Sequence, residues 1–208
     1  MRTKRVLSRA GIESTLRFSI ADKAFLNGLT KTGLISEKMA TEHYYAQRKN
    51  GAAKPLSRFV EGGILEKFSV YTPDGEKLVS YRFKNKAIAK SFGGSFSRSS
   101  INRSDYHDLL TTEAYFQLDQ PDDFRIESNF SKADQALFPC LDQGRYRPDA
   151  MATVNGETIY VEADAGHYSN RQIAEKLSQW GRASQLWVQP VSAKTLVPAH
   201  AHITTVRV

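Results

Sequence analysis

Two alternating runs joined by Asn155-Gly156 constrain this chain more than any other feature of its sequence. Pro148 to Val154 reads as a strand. Thr158 to Asp164 alternates again, with Tyr160, Glu162 and Asp164 on one face and Ile159, Val161 and Ala163 on the other. Asn-Gly between two such runs is a strong hairpin signal, because both turn residues must take positive φ. Asp149 begins the first strand and Glu162 lies near the end of its partner, so the two carboxylates are expected to converge. Ser169 caps a helix to about Arg182 with Ile173, Leu177 and Trp180 facing inward. Leu186-Trp187-Val188 and Ile203 to Val208 read as further strands. With a helix near Ser104 to Gln117, this predicts an α/β domain with a mixed sheet over residues 105–208.

The first half reads differently. Ala21 to Thr32 is helical by pattern, with Ala24, Phe25, Leu26 and Leu29 on one face and Gly33 as its stop. Ser36 caps a second helix, and Pro55 suits the first turn of a third, Pro55 to Glu61. Strands follow from Ile64 to Tyr71 and from Leu78 to Phe83 around Thr72-Pro73-Asp74-Gly75. Helix, helix, helix, hairpin is the order of a winged helix-turn-helix, expected over residues 20–85. Its third helix would enter the major groove of double-stranded DNA. Lys54, Ser57, Arg58, Lys67, Lys77, Arg82 and Lys84 are then placed for phosphates and base edges. Residues 1–19 read as a basic arm and residues 86–104 as a Gly/Ser-rich connector.

Charge follows this division. The first 105 residues carry 20 Lys and Arg against 9 Asp and Glu, and the rest of the chain carries 9 against 13. A basic half attracts a polyanion, while the acidic half can concentrate carboxylates at a site. No apolar run reaches the roughly 20 residues a membrane span needs, so no membrane partner is expected. The basic start, Met1 to Ile12, lacks the apolar stretch of a secretory signal, and the single cysteine, Cys140, makes no internal disulfide. A cytoplasmic setting is the expectation. No Walker loop, dinucleotide fingerprint, zinc knuckle or Ser-His-Asp arrangement stands out.

Pro148-Asp149, twelve intervening residues, then Glu162-Ala163-Asp164 carry the candidate chemistry. Mg²⁺ is commonly held by one or two carboxylates with water and substrate phosphate, so Asp149 and Glu162 are the expected ligands of Mg²⁺ or Mn²⁺. The pattern resembles the PD-(D/E)xK nuclease superfamily, whose core is restriction-endonuclease-like. The resemblance matches Asp149 to the Asp after Pro, Glu162 to the first acid of the second motif and Glu127 to the upstream acid. The lysine position holds Asp164, which leaves Asp164 as a third ligand or a drifted position, and Lys176 on the following helix as a migrated lysine. The whole arrangement, with His107-Asp108-Leu109-Leu110 and Arg147-Pro148-Asp149-Ala150, is similar to the replication-relaxation proteins and MOBC-type mobilisation relaxases. That family implies plasmid mobilisation: recognition of an origin of transfer and strand nicking to launch conjugation, by water or by a tyrosine such as Tyr146, Tyr160 or Tyr168.

The competing expectation is a non-catalytic DNA-binding accessory or regulator of a relaxosome, of replication or of transcription. Its second domain would serve for homodimer or partner contact with other relaxosome or plasmid proteins. The absent lysine favours that reading; the retained acids favour the enzyme. His167, after the acidic motif, reads either as a phosphate contact or acid or as a loop histidine with no role, and the pair His200 and His202 reads as incidental.

Overall fold

The computed structural model describes residues 17–94, 104–136 and 147–208. Most of the basic arm, residues 95–103 of the connector, Cys140 and Tyr146 lie outside them. The described chain divides into two compact units, one built from residues 17–70 and 77–94, the other from residues 71–76, 104–136 and 147–208. The fold is mixed α and β. Among the described residues no helix is long and apolar enough to cross a membrane.

In the first unit the elements run α1 (Ile20–Thr32), β1 (Ile35–Ser36), α2 (Glu37–His43), α3 (Ala53–Glu61), β2 (Leu65–Tyr71), β3 (Lys77–Phe83) and α4 (Lys86–Ser91). The expected three helices and hairpin are present in order. Ser36 caps α2 by accepting the Met39 N–H at 3.1 Å, and Gly33 ends α1 at φ 78° with its N–H on Leu29 O. Pro55 sits in the first turn of α3, where a missing N–H costs no helical bond. Strand β1 was not foreseen; it pairs antiparallel with β3, Ile35 opposite Tyr81, and the sheet order is β1-β3-β2. Residues 86–91, read as connector, form α4, whose cap is Asn85 accepting the Ile88 N–H at 3.0 Å. The core gathers Phe25, Leu29, Ile35, Leu56, Phe59, Ile64, Tyr81, Ile88 and Phe92.

One acid is buried in that core. Asp22 accepts from the Ser19 N–H at 2.8 Å, the Tyr45 hydroxyl at 2.9 Å and Arg58 Nη2 at 2.8 Å. Burial opposes its ionisation, yet the bonds from Ser19, Tyr45 and Arg58 outweigh it and hold the carboxyl below the usual range.

In the second unit the elements are α5 (Asp105–Gln117), β4 (Arg125–Ile126), a 3₁₀ turn (Glu127–Asn129), α6 (Lys132–Ala136), β5 (Ala150–Val154), β6 (Glu157–Ala163), α7 (Asn170–Trp180), β7 (Ser184–Gln189) and β8 (Ile203–Arg207). The hairpin turns at Asn155 (φ 52°) and Gly156 (φ 81°), both left-handed as a type I′ turn demands. Sheet order is β4-β5-β6-β7-β8. The pairs β4·β5 and β5·β6 are antiparallel, while β6·β7 and β7·β8 are parallel, so the sheet is mixed. Each parallel pair requires a crossover, and α7 supplies the one from β6 to β7. Ile173 and Trp180 of α7 cluster with Met151, Trp187 and Phe130. Ala150, Ala152, Val161 and Ala163 alternate to the opposite face, and α5 packs on β6 and β7.

Asp22→Asn is expected to destabilise the chain at pH 7 by about 1.5–3 kcal/mol, the range for hydrogen bonds to a charged group. The native pKa of Asp22 is depressed, so its contribution is present above the unfolded value of 3.8 and disappears as pH falls through the native one. Urea unfolding followed by circular dichroism should show wild type and variant converging in acid. A gap independent of pH would contradict this.

Candidate active site

Antiparallel pairing sets the geometry. Ala150 lies opposite Val161, where the paired register ends, and the Asp149 N–H donates to Val161 O at 2.9 Å, a bulge-like irregularity that holds Asp149 against the end of β6 where Glu162 lies. Both are buried, Glu162 completely. Asp149 Oδ2 accepts the Ala163 N–H at 2.9 Å and lies 3.0 Å from His107 Nε2 of α5. Glu162 Oε1 accepts the Tyr168 hydroxyl at 2.6 Å and the Lys176 amine. The amine also stands over the Tyr168 and Trp180 rings, 5.1 and 5.6 Å from their centroids.

Burial and the like charge of nearby Asp149 push the Glu162 carboxyl up to about 7, against the pull of Lys176 and Tyr168. Burial, with Glu162, Asp149 and Asp164 nearby, raises the Tyr168 phenol far above its ordinary value, so it stays a donor.

The structure therefore brings Asp149, Glu162 and Lys176 together. Asp164 behaves differently. Its Oδ1 accepts the backbone N–H groups of Gly166, His167 and Tyr168 at 2.9, 3.1 and 3.2 Å, and its Oδ2 accepts Gln189 Nε2 at 2.9 Å. It organises the loop that delivers Tyr168 and opens α7. Glu127 lies in the 3₁₀ turn beside β4, and its N–H donates to Asp149 O at 2.8 Å. Among the described residues no group of three or more His, Cys, Asp or Glu side chains is placed to hold a metal ion. The observation that fits a cation is narrower: Glu162 Oε2 is buried and has no hydrogen-bond partner among the described residues. A buried anionic oxygen in that state is costly unless a cation or water meets it. The residues thus suit a two-carboxylate site and do not form a cage of three.

Sequence reading did not give His107 or Tyr168 their contacts. The contact of His107 spans 42 residues and leaves no local signature. Tyr168 lies six residues from Glu162, in the loop after the acidic motif.

In the first unit, Lys54, Lys77 and Lys84 are exposed and Ser57 is half-buried. Arg58, expected at a base edge, pairs with buried Asp22 while its side chain keeps 40% exposure. Arg82 pairs with Glu66 at 3.0 Å and stacks over Phe68, and Lys67 lies 4.0 Å from Glu37.

Lys176→Met should strand the Glu162 charge and cost stability, and Glu162→Gln in that background should recover part of it. Trp180 and Trp187, packed in the same cluster, make indole fluorescence the readout. A double-mutant cycle should give a coupling of about 1–3 kcal/mol; additive effects would contradict the pairing.

Compared with protein-family models, curated proteins and solved structures, the chain matches none of them.

Proposed function

We propose that this chain is a DNA-binding protein of a plasmid or mobile element that nicks DNA in a metal-dependent reaction, as a relaxase does at an origin of transfer. The observation that carries the reading is the convergence of Asp149, Glu162 and Lys176 at one end of a mixed sheet. The order α5, β4, α6, β5, β6, α7, β7 supports a restriction-endonuclease-like domain. The three helices and hairpin of the first unit support a winged helix. A cytoplasmic protein is the corresponding setting.

Asp149 and Glu162 would hold Mg²⁺ or Mn²⁺. When bound there, the ion supplies Lewis-acid polarisation of a phosphodiester. The Lys176 amine brings positive charge to the same face, where it offsets the two acids for an incoming phosphate. Tyr168 holds Glu162 in place as a donor, which argues against Tyr168 itself as the attacking group and leaves water or another tyrosine for that role. Exposed Lys54, Lys77 and Lys84 supply affinity through phosphates.

A second reading has its own observation. Lys176 and His107 occupy one oxygen of each acid from within the chain, so the cluster can be a closed structural network in a non-catalytic accessory protein.

Nicking of supercoiled plasmid by the full chain decides between them. The enzyme reading expects relaxation that depends on Mg²⁺ or Mn²⁺, lost in Asp149→Ala and Glu162→Ala with duplex binding retained. No nicking across several divalent metals favours the accessory reading. Separately, Lys54→Glu with Lys84→Glu should weaken duplex binding and reduce its log–log salt slope by about 2, near 0.9 per phosphate contact. An unchanged slope would remove those lysines from the interface.

A further inference from the structure

We infer that His107 of α5 is a positioning residue for the acid pair, holding the Asp149 carboxylate in the orientation a divalent cation needs. This rests on the cation-binding reading of Asp149 and Glu162. His107 comes from a different element than every other member of the cluster, and its ring is largely buried, with 13% exposure. A carboxylate oxygen only accepts, so His107 donates from Nε2 to Asp149 Oδ2 across 3.0 Å. The Ala163 N–H meets the same oxygen at 2.9 Å. Two donors from two elements, one on α5 and one on β6, fix both the position and the plane of the carboxylate.

The backbone at His107 favours this role. Its N–H is taken by the Ser104 cap at 3.2 Å and its carbonyl by Thr111 at 3.1 Å, so the first turn of α5 is anchored on both sides of the residue. The helix thereby presents the imidazole from a rigid base. Partners that orient a ligating carboxylate commonly matter about 10- to 100-fold in metal affinity.

The test uses the full chain and Mn²⁺ alone, titrated by electron paramagnetic resonance, with Asp149→Asn marking binding elsewhere. His107→Phe removes the donor, His107→Gln returns an amide N–H at about the reach of Nε2, and His107→Asn carries one that is too short. The expected result is an apparent Kd for Mn²⁺ weakened about 10- to 100-fold in Phe and Asn variants and close to wild type in Gln. Melting temperatures of the Gln and Asn variants should match each other. Should His107→Phe fail to fold, the Gln and Asn pair still decides. Wild-type affinity in the Asn variant, or equal loss in Gln and Asn, overturns the inference while leaving the cation site standing. No Mn²⁺ bound by wild type beyond Asp149→Asn overturns the site itself and this inference with it.

Discussion

Glu162 sits near the end of β6 with no exposed surface, and the second unit is arranged around that fact. An isolated carboxylate there would take up a proton or drag water inward. Lys176 and Tyr168 answer it on one oxygen, and both are delivered by the segment that follows the strand. Lys176 lies one turn from Ile173 and from Trp180, so the helix face that buries its apolar residues on Met151 and Trp187 also carries the amine inward. Ion pair and hydrophobic packing therefore specify the same rotation of α7. Desolvation and the facing charge of Asp149 still leave Glu162 raised, and this unrelieved repulsion is what a cation would relieve.

The first unit holds a buried acid with the opposite outcome. Asp22 is as inaccessible, but it has three donors, including a guanidinium. Its charge is favoured where that of Glu162 is opposed. The contrast separates a carboxylate used to tie α1 to Tyr45 and α3 from one that shares its space with another acid. It also limits what Arg58 can do: a side chain held by Asp22 has less freedom to reach a base edge than Lys54 beside it.

Local signals set the frame. Ser36 and Ser169 each accept an N–H three residues on, and Asn155-Gly156 takes the positive φ values that close the hairpin. From that register alone, Asp149 and Glu162 could be expected to face each other. What escaped was short or distant. Two-residue strands such as Ile35–Ser36 and Arg125–Ile126 have no periodicity to read. Lys86–Ser91 is a helix of six residues beside a Gly/Ser run that masks it. Asp164 could be weighed only as a ligand or a drifted lysine, because its acceptance of three successive backbone N–H groups depends on a loop shape that no spacing reveals.

The central claim is that Asp149 and Glu162 together bind a cation. Trp187 is the β7 residue opposite Glu162, so an ion held by the acid pair would lie near an indole. Terbium, a luminescent oxygen-seeking stand-in for Mg²⁺ and Mn²⁺, tests this directly when excited through tryptophan. The account predicts sensitised emission that saturates with wild type, is competed by Mn²⁺ and is lost in Asp149→Asn. Emission that is absent in wild type, or that survives Asp149→Asn unchanged, would contradict it.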